Sequence, residues 1–357
     1  MQANQGEPIM HLAPFLDKYD TILFDLDGVI TTEQMYWNTA ALTVYEMLNS
    51  RDFYGNNDLD LDAVQNNMAK IRKEFFLDDS VIRYVKNTGV NTNWDLAYLV
   101  LGGALILGTD SDFEAVFDYI KSLDNSSAFN LYADHAKQLS DNTDLSLEYC
   151  TRLGGFWNEI SLVFEEWYLG SKLFNEQYNK NVPENRKKGL YLGEEPLIQK
   201  DELILLLNLL KDSGKTLGIG SGRPKVEIDA PFKCWDIKKY FAEDRIINNN
   251  TIVSAESRLN LLEKGINLSK PHPYMFLKGV FGEDYDDEKI LSGDYDVSKC
   301  RKTLVVGDAG CDIQSAKAAG CDFLAVLTGI SGKDAKDYFI RENATYILDD
   351  VTCLMEV

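Results

Sequence analysis

Four short polar clusters stand at or beside apolar runs, and their residue types complement one another. The run DTILFDLDGVI (20–30) delivers Asp25 and Asp27, and KTLGIGS delivers Ser221, followed by Gly222 and Arg223. LSKPHP carries Lys270 on a segment that Pro271 is expected to hold extended. RKTLVVGD ends on Gly307 and Asp308, with Asp312 one turn later. Each cluster alone has an ordinary explanation. A D-x-D-G makes a good turn, and D-x-D also binds metal–nucleotide in glycosyltransferases. GSGRP can be a plain loop, Lys270 a surface lysine, and Asp312 a cap for the helix that follows it.

Taken together they describe one reaction centre. Asp25 and Asp308, with Asp312 close by, make a hard oxygen site without His or Cys, which suits Mg²⁺. Asp25 can attack phosphorus to give an aspartyl-phosphate. Ser221 and the backbone N–H groups near Gly222 can hold phosphoryl oxygens, and Lys270 can neutralise the nucleophile and the transferring group. Asp27, two residues from Asp25, can protonate the leaving alcohol and later take a proton from water. Arg223 and Asp312 support these groups. The chemistry expected is Mg²⁺-dependent phosphate ester cleavage.

The elements that must position these residues change texture along the chain. Residues 20–30 read as a short apolar strand ending in a turn. From 32 to 197 the pattern is helical, with candidate helices at 33–49, 60–76, 92–107, 111–123 and 154–168. After 198, helices and apolar strands alternate: a helix closed by Gly214, strands at KTLGIGS and RKTLVVGD, a helix ended by Gly320, a strand DFLAVLTG, a helix over 332–342 and a last strand ATYILDD. This alternation argues an α/β fold with a parallel sheet covered on both faces, and ligands in such sheets sit beyond the carboxyl ends of the strands. The expected domains are therefore 1–31 with 198–357 as an α/β core and 32–197 as an all-α insertion. The acidic stretch 287–303 reads as a solvated loop. Aromatic and polar residues mix in 31–38, 92–98 and 165–172, where helix packing is the commoner role and contact with a leaving group the alternative.

Composition narrows the partners. A net charge of −21 argues against nucleic acid and against anionic membrane surfaces, leaving a small phosphorylated molecule as the expected substrate. Six cysteines without C-x-x-C spacing suit a reducing compartment, and three histidines disfavour a zinc site. The N-terminal residues lack a signal-peptide pattern, and the apolar run 96–108 is too short to span a bilayer, so a cytoplasmic location is expected.

The four clusters resemble the motifs of the haloacid dehalogenase superfamily: DLDGV at 25–29, GSGRP at 220–224, KPHP at 270–273 and VVGDAGCDIQSAKAAG at 305–320. The resemblance implies a Rossmann-like core with a helical cap inserted after the first motif. It also implies that the main-chain carbonyl of Asp27 joins Asp25 and Asp308 on Mg²⁺. Asp27 separates the chain from dehalogenase members, which lack that second acid, and the fourth motif looks more like phosphoglycolate-phosphatase-type members than β-phosphoglucomutase. A sugar-phosphate mutase, or a non-catalytic binding protein on the same fold, are the alternatives. The inserted block is larger than the usual cap, and Thr32 stands where relatives often carry Asp.

Overall fold

The computed structural model describes residues 10–90, 92–108, 112–261 and 266–356. The chain forms two compact units, Met1–Thr32 with Glu194–Val357, and Glu33–Gly193.

The first unit is built on six strands: β1 (Thr21–Phe24), β2 (Thr216–Gly220), β3 (Ile246–Ile247), β4 (Thr303–Gly307), β5 (Asp322–Val326) and β6 (Tyr346–Leu348). All pairings are parallel, in the order β3-β2-β1-β4-β5-β6. Alternate side chains of each strand enter opposite cores, as the two-residue period of a strand requires. Ile22, Phe24, Leu304 and Val306 pack on one face, and Leu23 and Val305 on the other. Burial on both faces explains why these strands read as continuous apolar runs. The strand order reverses at β1, so the carboxyl end of β1 lies at the switch point of the sheet. His11–Leu12 pairs antiparallel with Met355–Glu356 as a separate two-stranded ladder.

The second unit is helical: α1 (Gln34–Asn49), α2 (Leu61–Asn66), α3 (Met68–Phe75), α4 (Ser80–Asn87), α5 (Asn93–Leu107), α6 (Phe113–Ser122), α7 (Ala128–Asn142), α8 (Leu147–Cys150) and α9 (Gly155–Tyr178). The helix expected over 60–76 breaks at Asn67, whose φ of −100° and ψ of 10° leave the helical region. The helix expected from 111 starts at Phe113, and position 111 lies outside the described residues. The α4 and α7 segments were not expected. In α7 the buried stripe Leu131, His135, Leu139 has a histidine at its centre, which interrupts the apolar period. The helix expected to end at 168 continues to Tyr178 through a kink at Gly170, and Phe174 extends its buried face. Among the described residues, no helix is long and apolar enough to cross a membrane.

In the segments 31–38, 92–98 and 165–172 the aromatic residues pack within this unit. Tyr36 stacks on Tyr168 with ring centroids 4.5 Å apart, and Trp94 donates to Glu165 at 3.0 Å. Charged groups are buried here too. Lys187 lies 2.6 Å from Glu46 and 3.0 Å from Glu166, and Arg186 pairs with the same two acids. Asp95 accepts from Trp157, Tyr132 and Arg152 at 2.7–2.9 Å.

Helices α10 (Lys200–Asp212), α11 (Lys225–Trp235), α12 (Asn249–Arg258), α13 (Tyr274–Phe281), α14 (Asp287–Ser292), α15 (Val297–Arg301), α16 (Gly310–Ala319) and α17 (Lys336–Arg341) cover the sheet. The helix expected over 332–342 is a 3₁₀ turn, Gly332–Ala335, running into α17. The stretch read as a solvated loop, 287–303, instead contains α14 and α15. Ile290 and Cys300 are buried, and Asp287 is held by Lys278 at 2.7 Å and by the Tyr274 hydroxyl at 2.6 Å. An acid buried by ion pairing looks in sequence like a solvated one.

Candidate active site

The chain leaves β1 directly into the site. Asp25 N–H donates to the Val306 carbonyl at 2.8 Å, which fixes the first aspartate beside the end of β4. The chain then turns back on itself. Gly28 N–H donates to the Thr31 carbonyl at 2.9 Å, and Ile30 N–H to the Leu26 carbonyl at 2.8 Å. Register pairs Phe24 with Ile219 on β2 and with Val306 on β4, so Asp25, Ser221 and Asp308 leave adjacent strands at one edge.

Asp25 is buried, and its Oδ1 accepts from Lys270 Nζ at 2.6 Å. The same ammonium lies 2.7 Å from Asp312 Oδ1 and over the Phe276 ring at 4.9 Å. Asp312 Oδ2 accepts from Ala309 N–H at 3.2 Å, so this acid both caps α16 and anchors the lysine. Burial pushes Asp25 up to about 7, with Lys270 opposing and Asp312 and Asp27 adding to the rise. For Lys270, burial works downward, but Asp25 and Asp312 outweigh it and hold the ammonium above its ordinary range. Burial, reinforced by Asp312, pushes the neighbouring Cys311 thiol well up, which disfavours its thiolate.

Lys270 itself sits in a turn. His272 N–H donates to the Ser269 carbonyl at 3.0 Å, and the Lys270–Pro271 peptide is cis, an arrangement that places proline inside a tight turn.

One oxygen each from Asp25, Asp308 and Asp312 lies within 4.8 Å of the others. Asp308 is wedged between two glycines. A Cβ on Gly28, whose φ is +75°, would come 2.4 Å from Asp308 Oδ2, and a Cβ on Gly329 would come 2.0 Å from it. Two of these carboxylates share one lysine, and every candidate donor is a hard oxygen. This donor set fits Mg²⁺.

Asp27 points to a different partner. Its two oxygens accept from Arg223 Nε at 3.0 Å and Nη2 at 2.5 Å, and Oδ1 also accepts from the Thr31 hydroxyl at 2.9 Å. Arg223 is thus tied to the second aspartate, and its Nη1 lies 3.2 Å from Glu194. Ser221 is buried at the end of β2. Its N–H donates to the Ile247 carbonyl at 3.0 Å and its Oγ accepts from Arg223 N–H at 3.2 Å. Gly222 is exposed, with open space where a side chain would stand.

Sequence reasoning missed Thr31, Glu194, Thr328 and Gly329. The Thr328 hydroxyl donates to the Gly28 carbonyl at 2.6 Å and ties the loop after β5 to the turn after β1. The only sequence signal was the T-G pair that ends the apolar run 322–329, and nothing marked it apart from other turns.

Residues 267–354 match the family model Hydrolase_like, described as HAD-hyrolase-like; the match includes Lys270, Asp308 and Asp312. No curated protein matches the chain. Among solved structures, one from the Northeast Structural Genomics Consortium is similar at 27% identity and a TM-score of 0.78, covering 93% of this chain and 96% of its own. A HAD family hydrolase from Deinococcus radiodurans R1, with bound phosphate and sodium, aligns at 15% identity and a TM-score of 0.38, over 93% of this chain and 91% of its own. A HAD-superfamily hydrolase of subfamily IA from Geobacter sulfurreducens aligns at 14% identity and a TM-score of 0.38, over 93% of each chain.

Proposed function

We propose that the chain, whose residues 267–354 match a HAD-like hydrolase family model, is a Mg²⁺-dependent phosphatase of the haloacid dehalogenase superfamily that hydrolyses a small phosphorylated metabolite through a phosphoaspartate on Asp25. In this reading the unit Glu33–Gly193 is the helical cap domain of the enzyme. The observation that carries the proposal is the convergence of carboxylates at the sheet edge: Asp25 and Asp312 lie 2.6 and 2.7 Å from the Lys270 ammonium, and an oxygen of Asp308 lies within 4.8 Å of theirs.

Asp25, Asp308 and the main-chain carbonyl of Asp27 would hold the metal. When bound, Mg²⁺ supplies positive charge that offsets repulsion between the carboxylate and the phosphate. Lys270 keeps the nucleophile ionised and neutralises charge on the transferring group. A bond forms from the Asp25 carboxylate to phosphorus as the ester P–O bond breaks, and Asp27 gives its proton to the departing alkoxide. Ser221 and the Gly222 N–H hold the phosphoryl oxygens meanwhile. Water, losing its proton to Asp27, then attacks phosphorus and frees phosphate and Asp25.

The test is release of inorganic phosphate from p-nitrophenyl phosphate. Turnover should require Mg²⁺ and fall by a factor on the order of 10⁴ or more in Asp25→Asn, which stays folded because the change is nearly isosteric. Activity that survives EDTA, or persists in Asp25→Asn, contradicts the proposal. Transfer of the phosphoryl group to a sugar phosphate in place of water would identify a mutase.

A further inference from the structure

Both segments that join the two units converge on Arg223. On the outgoing segment, the Thr31 hydroxyl accepts from Arg223 Nη2 at 3.1 Å and donates to Asp27 at 2.9 Å. On the returning segment, Glu194 Oε1 lies 3.2 Å from Arg223 Nη1. The segments are also paired by backbone: Leu197 N–H donates to the Ile30 carbonyl at 2.8 Å, and Thr31 bridges to Pro196. Glu194 and Arg223 are almost wholly buried, with side chains 0% and 3% exposed. A buried pair of this kind adds little net stability compared with apolar packing, so its presence calls for another reason.

Geometry supplies one. Arg223 presents a fork to Asp27, with Nε on one carboxylate oxygen and Nη2 on the other, and this fixes the plane of the carboxylate as well as its position. Its remaining nitrogen is taken by Glu194 and, at 3.4 Å, by the Glu227 carbonyl. The guanidinium therefore has no freedom to swing. We infer that Glu194 and Thr31 are positioning residues of the reaction, acting through Arg223 to hold Asp27 where a proton must be exchanged with the leaving group. The inference rests on the phosphatase reading, with Asp27 as the leaving-group acid. It makes the two linker segments part of the catalytic apparatus.

The experiment compares two esters, p-nitrophenyl phosphate, whose leaving group departs readily, and phenyl phosphate, whose leaving group depends more on a delivered proton. Glu194→Gln and Thr31→Val should each lower kcat on phenyl phosphate by about tenfold more than on p-nitrophenyl phosphate, with Mg²⁺ dependence kept. Arg223→Lys keeps the charge and loses the fork, so it should show the same selective loss. Thr31→Val removes a single hydroxyl and guards against a Glu194 variant that fails to fold. Equal slowing of both esters, or an unchanged ratio in folded variants, overturns the inference while leaving the phosphatase reading intact. A wild-type protein that hydrolyses neither ester overturns both.

Discussion

Two buried lysines, one in each unit, stand between pairs of carboxylates and behave in opposite ways. Lys187 in the helical unit faces Glu46 and Glu166, and burial pulls its ammonium below the ordinary range despite both acids, with Arg186 pulling the same way. Lys270 at the sheet edge faces Asp25 and Asp312, and there the acids outweigh burial and hold it above that range. The difference lies in the ledger of charge. Around Lys187, two acids meet two bases and the cluster is complete in itself. Around Lys270, Asp25 and Asp312 share one ammonium, and an oxygen of Asp308 lies within 4.8 Å of theirs. A cluster whose acids are matched by bases meets its own charge, whereas carboxylates that share one base favour a further cation nearby.

The balanced cluster breaks most visibly when one partner is removed. Lys187→Met takes one of two cations from the buried Glu46 and Glu166 and should destabilise the protein by about 3–5 kcal/mol, read from urea unfolding. Loss below about 1 kcal/mol would show that the cluster is not the clamp its burial suggests.

His135 tests the same unit by pH. The Tyr119 hydroxyl lies 2.8 Å from Nδ1 and the Tyr98 carbonyl 3.2 Å from Nε2, an arrangement met by a neutral ring with its proton on Nε2. Burial lowers His135 to about 4. Below pH 6.5 the unfolded chain takes up a proton that the folded chain refuses. The contribution of His135 to stability is therefore present above pH 6.5 and falls as pH drops toward 4, by about 3 kcal/mol in all. His135→Gln should flatten that slope in unfolding measured across this window, and an unchanged slope would assign the effect elsewhere.

The smallest expected effect sharpens the unbalanced side. Gly329→Ala would drive a methyl to 2.0 Å from Asp308 Oδ2, so the carboxylate must shift. Mg²⁺ affinity should fall about 10–100-fold, as it does when groups that orient a ligand are disturbed. Thermal stability without metal should change far less. Unchanged affinity would remove Gly329 from the account.

The contrast also explains what could be read from the sequence. The parallel sheet was legible because doubly buried strands leave unbroken apolar runs such as TLVVG and DFLAV, and Gly214 and Gly320 mark helix ends with φ of 76° and 77°. Asp25, Ser221 and Asp308 were legible because each stands at or just beyond the last residue of such a run. Glu194, Thr31 and Gly329 were not, because nothing local distinguishes them; their contacts arise only when distant segments meet at Arg223 and Asp308. The same reason hid α7, where a buried histidine replaces an apolar residue, and α14, where Asp287 is buried by partners in α12 and α13.

Calorimetric titration with Mg²⁺ tests the central contrast most directly. The wild-type protein should bind one Mg²⁺, Asp308→Asn should lose that binding, and Glu46→Gln, which disturbs only the balanced cluster, should keep it. A wild-type protein that takes up no Mg²⁺, or an Asp308→Asn variant that binds it as well as wild type, would contradict the assignment of the sheet-edge carboxylates as a metal-dependent active site.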